Sequence, residues 1–199
     1  MSEEDEGVPT RFQIFVLSYL YSQELFLEKR EEEQDKGRLR THHLQSRVMK
    51  KPIEINIKQL AIILPPSISR NLTSAKMIRQ LSILVENGYL EENFLGSTSG
   101  FGSVSITIDG ILLVKRIFAN LKKSVKDKKS YEKKIEDTEG NSSTKKWLKS
   151  MWGTLKDKAQ DEIADLILSE VKIHGTQLIA FVIKLYYDNI LHHDFHFQG

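Results

Sequence analysis

Residues 87–110, NGYLEENFLGSTSGFGSVSITIDG, decide the fold. Leu90 and Phe94 bracket one short strand. In SVSITID (103–109), Val104, Ile106 and Ile108 alternate with Ser103, Ser105 and Thr107, the period-two pattern of a half-buried strand. Gly96, Gly100 and Gly102 permit a tight loop between the two, because glycine adopts backbone angles closed to other residues. The stretch predicts a β-hairpin with a Gly/Ser-rich tip. From Leu90 to Gly110 it contains no lysine or arginine.

Its flanks are helical. Upstream, LTSAKMIRQLSILVENG (72–88) sets Met77, Ile78, Leu81, Leu84 and Val85 on one face, with Thr73 or Ser74 as N-cap and Gly88 at the C-terminal end. PPSISRN (65–71) stops the helix before it, since proline cannot continue one. That earlier helix is NIKQLAIIL (56–64), capped by Asn56 and apolar at Ile57, Leu60, Ala61 and Leu64. PIEIN (52–56) alternates as a short strand. Downstream, Asp109 is placed to cap GILLVKRIFANLKKSV (110–125).

Towards the N-terminus, Phe12, Phe15, Val16, Tyr19, Leu20 and Phe26 or Leu27 recur at helical spacing after Thr10. A basic connector, DKGRLRTHHLQSRVMKK (35–51), joins this helix to the strand. It carries Lys36, Arg38, Arg40, Arg47, Lys50 and Lys51 against a single acid, Asp35.

The resulting order is helix, short strand, helix, turn, helix, strand, loop, strand, helix. MIRQLSILVENGYLEE, ending in Gly88, Tyr89 and Leu90, resembles the recognition helix and first wing strand of MarR-like and PadR-like regulators, prokaryotic or archaeal winged helix-turn-helix families. SITIDG resembles their second wing strand, with its Leu/Ile-Thr-x-x-Gly motif at Ile106, Thr107 and Gly110. The resemblance spans about residues 10–125. It implies a mainly α fold with a small β-hairpin wing (α+β), a winged-helix domain followed by C-terminal helices. It further implies a sequence-specific, DNA-binding transcriptional regulator whose recognition helix enters the major groove.

On that helix the face opposite Ile78, Leu81 and Val85 presents Lys76, Arg79, Gln80, Ile83 and Glu86. Arg79 can take guanine bidentately and Gln80 adenine, while Lys76 and the backbone near Ser74 suit phosphate. Arg38, Arg40, Arg47, Lys50 and Lys51 are the candidate flanking phosphate contacts. The hairpin departs from the DNA-binding pattern, since a wing that follows the backbone usually carries arginine or lysine. Its tip offers Ser97, Thr98, Ser99, Phe101 and Ser103 instead. That departure keeps a second reading open, a protein–protein interaction module without DNA binding.

The C-terminal region divides into a charged linker (129–144), whose first part can instead extend the preceding helix to about Ile135 with DTEGNSS as a flexible break, and helices from Lys145 on, with KKWLKSMWGTLKDKAQDEIADLILSEVKIHG ending at Gly175. Trp147, Met151, Trp152 and Leu155 share a helical arc, and Ile179, Phe181 and Ile183 lie in the apolar run LIAFVI. As terminal helices of winged-helix regulators often build the dimer, these seven are the candidate homodimer residues. Docking on the same chain, or peripheral attachment to an anionic membrane through Trp147 and Trp152, are the alternatives.

Composition narrows the rest. The 199 residues are 40% hydrophobic and 28% charged with net charge +2, so any nucleic-acid contact must come from a local patch. The absence of cysteine excludes disulfides, thiol catalysis and cysteine-ligated metals. The acidic tail 1–9 has no apolar signal region, and LIAFVI is too short to span a bilayer, so a cytoplasmic protein with no integral membrane association is expected. His192, His193, Asp194 and His196 form a histidine-rich terminus with no distant partner ligand. With no nucleophile–base pair or phosphate-binding glycine loop, neither enzymatic activity nor a cofactor or metal is expected, and no small-molecule effector can be named.

Overall fold

The computed structural model describes residues 9–37, 52–70, 72–93, 102–123, 127–138 and 142–189. Among them the chain is mostly helical with one two-stranded antiparallel sheet, an α+β arrangement. The connector residues Arg38, Arg40, Arg47, Lys50 and Lys51, the tip 94–101 and the histidine-rich terminus lie outside the described residues.

Helix α1 (Arg11–Gly37) is the spine. Its start is a capping box: Gln13 N–H donates to Thr10 Oγ1 (3.3 Å) while Thr10 N–H donates to Gln13 Oε1 (2.8 Å). The sequence predicts one apolar stripe on α1, but every residue from Phe12 to Ser18 is buried. Ile14 and Leu17 are as enclosed as Phe15 and Val16. A helix apolar all round needs neighbours all round, and α1 has them. Residues 66–69, 74–86 and 103–106 and the helices at 108–123, 162–168 and 176–189 all pack against it.

Ile55 makes an isolated bridge to Val104, with both backbone bonds at 2.9 Å, so PIEIN joins the sheet through a single residue. Asn56 then caps α2 (Ile57–Ile63) in a second capping box, with Gln59. The prolines do end α2, but Pro66 also opens a one-turn helix, α3 (Pro66–Ser69), where its missing N–H costs nothing. Thr73 caps α4 (Ser74–Glu86), its hydroxyl accepting from Lys76 N–H. Gly88, at φ +74°, closes α4 in a Schellman motif: Tyr89 N–H donates to the Leu84 carbonyl and Gly88 N–H to that of Val85, each at 2.9 Å.

The hairpin strands are β1 (Leu90–Asn93) and β2 (Ser103–Ile106), paired Leu90 with Ile106 and Asn93 with Ser103. Helix α5 (Ile108–Lys123) follows. Its cap is Thr107 and not Asp109: Gly110 N–H donates to Thr107 Oγ1 at 3.1 Å, and Asp109 sits in the first turn.

The stretch expected as a charged linker is largely helix. Asp127 caps α6 (Lys128–Asp137), accepting from Ser130 N–H at 2.9 Å. Two apolar residues four apart, Tyr131 and Ile135, are enough to seat it: both are buried, and the Tyr131 hydroxyl donates to the Leu148 carbonyl at 3.2 Å. The helical stretch expected up to Gly175 is broken into α7 (Ser142–Ser150), α8 (Trp152–Asp157), α9 (Glu162–Leu168) and α10 (Val171–His174). Gly175, at φ +71°, turns the chain into α11 (Thr176–Asn189). One hydrophobic core runs through all of this, from Phe12 and Leu81 to Ile167 and Tyr186.

Candidate nucleic-acid interface

The unit α2–α3–α4 has an unusual charge pattern. From Ile55 to Val85 there is no aspartate or glutamate, yet Lys58, Arg70, Lys76 and Arg79 lie within it. All four are exposed and make no ion pair among the described residues. Elsewhere many lysines are matched internally: Lys115 with Asp165 (3.1 Å), Lys149 and Lys145 with Glu136, Lys158 with Glu162 (3.0 Å). Unmatched cations beside no anion attract phosphate, and their counterions are released on binding. Lys58 and Arg70 escape a reading centred on α4, since one lies on α2 and the other after α3. The signal that finds them is the missing acid, which a helix-by-helix search for apolar stripes does not register.

Within α4, Ser74, Lys76 and Arg79 stand on the exposed face as expected. Lys76 and Arg79 are three residues apart, neighbours on a helix surface. Gln80 departs from expectation. It is half-buried, and its Oε1 accepts a 2.9 Å bond from the Thr10 hydroxyl, while its backbone carbonyl accepts a 3.3 Å bond from Gln13 Nε2. Its amide is turned to α1 and away from the face where Arg79 stands. The Thr10 hydroxyl holds that side chain, while Gln13, a polar side chain only 5% exposed, finds its own partner in the Gln80 backbone.

The hairpin base is acidic and self-occupied. Ser103, expected to offer a free hydroxyl, donates to Glu54 Oε2 at 2.6 Å, and Gly102 N–H donates to Glu92 Oε1 at 2.9 Å. Glu91 is exposed beside them. Three carboxylates here oppose phosphate.

The seven candidate dimer residues lie in or between the C-terminal helices and pack within the chain. Leu155, Ile179, Phe181 and Ile183 are buried inside the single chain. Trp147 and Trp152 are half-buried and used internally: Trp147 packs on His174 (ring centroids 5.0 Å) and Trp152 on Tyr131 (4.9 Å). Met151 joins α7 to α8 against the same core. These contacts belong to packing within one chain. No helix among the described residues is long and apolar enough to cross a membrane.

Two clefts of about 250 and 230 Å³ flank Tyr19 and Gln23 on α1. The first is lined by Ile53, Glu54, Gln59 and Ile62 and the second by Phe26, Ser169 and Lys172; neither lining holds a histidine or cysteine. Comparison of the chain with protein-family models, with curated proteins and with solved structures returned no match.

Proposed function

We propose that this chain is a winged-helix protein that binds double-stranded DNA as a transcriptional regulator in the cytoplasm, with α2 and α4 as the helix-turn-helix and α4 in the major groove. The observation that carries this reading is the acid-free unit from Ile55 to Val85, whose cations Lys58, Arg70, Lys76 and Arg79 are exposed and form no ion pair among the described residues. Element order supports it too: the hairpin follows α4 directly, and Ile55 bridges to Val104 at its edge. Arg79 reads a base, Lys76 and the start of α4 at Ser74 meet phosphate, and Lys58 and Arg70 flank them. The connector cations Arg38, Arg40, Arg47, Lys50 and Lys51 add positive charge just ahead of this unit in the sequence. The acidic hairpin takes no part in the grip.

Fluorescence anisotropy with labelled duplex DNA over a salt series tests this. Three cationic phosphate contacts, Lys58, Arg70 and Lys76, give a slope of roughly −2.7 in log K against log salt, steeper if the connector contributes. Arg79→Ala costs about 1–3 kcal/mol and relaxes the preference at one position. Absence of binding at low salt overturns the reading.

One observation favours a protein partner as the second reading. Ile108 and Leu112 stand one turn apart on α5, 77% and 53% exposed, near the acidic hairpin. A partner captured by the wild type and lost on Ile108→Asp, in a chain that binds no duplex, supports that alternative.

A further inference from the structure

We propose that Gln80 is a positioning residue for α4 and contacts no base. This rests on the DNA-binding reading above. The first turn of α1 forms a polar joint with α4. The Thr10 hydroxyl donates to Gln80 Oε1 and accepts from Gln13 N–H; the Gln13 amide accepts from Thr10 N–H and donates to the Gln80 carbonyl. The four bonds fit one arrangement, and a part-buried network of that kind favours one register because rotation of α4 breaks the bonds to Gln80.

The joint is also held from behind. The Tyr187 hydroxyl of α11 donates to the Pro9 carbonyl, and the Arg11 guanidinium lies 5.0 Å from the centre of the Tyr187 ring. The cap of α1 is thus fixed to the C-terminal layer on one side and holds α4 on the other. The two bonds to Gln80 set the rotation that turns Arg79, its neighbour in sequence, outward.

Selection from duplexes with a randomised centre, followed by anisotropy on the selected and scrambled duplexes, separates positioning from reading. Gln80→Glu keeps the acceptor for Thr10 and is expected to keep the wild-type base preference at every position, with only a uniform loss of affinity. Gln80→Met removes the acceptor and is expected to lower discrimination about tenfold while the chain stays folded by circular dichroism. Thr10→Val removes the same bond from the α1 side, far from any base, and must reproduce that loss. A changed base at one position in Gln80→Glu marks direct reading and overturns the inference. So does unaltered discrimination in Gln80→Met and Thr10→Val. A wild type that binds no duplex defeats the DNA reading itself, whereas a wild type that binds with unaffected variants defeats this inference alone.

Discussion

The Thr107 hydroxyl donates a 2.7 Å hydrogen bond to the carbonyl of Gly88, and so ties the end of α4 to the start of α5 across the hairpin. The same oxygen accepts from Gly110 N–H, and Thr107 N–H donates to the Tyr89 carbonyl at 3.2 Å. The two motifs at the ends of residues 87–110 are therefore one junction. Gly-Tyr at 88–89 supplies carbonyls, and Thr-x-x-Gly at 107–110 supplies the hydroxyl and the space.

That space is testable. A Cβ on Gly110 would lie 2.3 Å from the Tyr89 carbonyl oxygen and 2.8 Å from Ile106 Cγ1. Gly110→Ala should destabilise the chain by roughly 1–3 kcal/mol in urea unfolding. Gly153, inside α8 with nothing within 4 Å of its Cβ position, gives the opposite sign: Gly153→Ala should stabilise by about 0.5–1 kcal/mol.

Alkaline pH should loosen the join between α1, α5 and α9. The Tyr21 hydroxyl donates to Asp165, which also pairs with Lys115. Burial first, then the hydrogen bond and charge of Asp165, push the Tyr21 phenol well above its ordinary value of 10.0. Burial does the same to Tyr131. A folded-state pKa above the unfolded one favours the protonated phenol in the fold. Stability from these groups is thus complete below about pH 10 and is lost as pH rises above it. Thermal melts over an alkaline series should show the decline, and Tyr21→Phe should make it shallower, at a cost of about 1 kcal/mol at neutral pH.

Ile179 separates a core from a dimer seam. It is fully buried in one chain. Ile179→Ala should cost about 2–5 kcal/mol, with a midpoint shift independent of protein concentration. A shift that grows on dilution would mean that this helix is covered by a second subunit.

Lys58 and Arg70 should behave as phosphate contacts. Each alanine substitution should weaken binding evenly across duplex sequences and reduce the salt slope by about one. A change in base preference with an unchanged slope would remove them from that role.

Much of the fold was legible because its signals are local. Asn56 and Thr73 cap helices through bonds spanning three residues, and Gly88 ends α4 through its own backbone angle, so residues 56–110 declare their elements without help from the rest. In the candidate site, Lys76 and Arg79 were legible for the same reason: helical spacing alone sets them opposite Leu81 and Val85. Thr107 in place of Asp109 shows the limit, since either side chain can cap and only the contact with Gly88 favours threonine.

The sequence by itself determined where helices start and stop around the hairpin, and which face of α4 is charged. Only the tertiary structure decided what Gln80 does, since its partner Thr10 lies 70 residues away and nothing near Gln80 announces it. It likewise decided that residues 12–18 of α1 are all enclosed, that the charged stretch at 128–137 folds, and that Ile179 and Phe181 are buried within one chain. Capping and periodicity act over a single turn and can be read along the chain. Burial depends on which distant surfaces meet, and each of those surfaces is specified elsewhere in the chain.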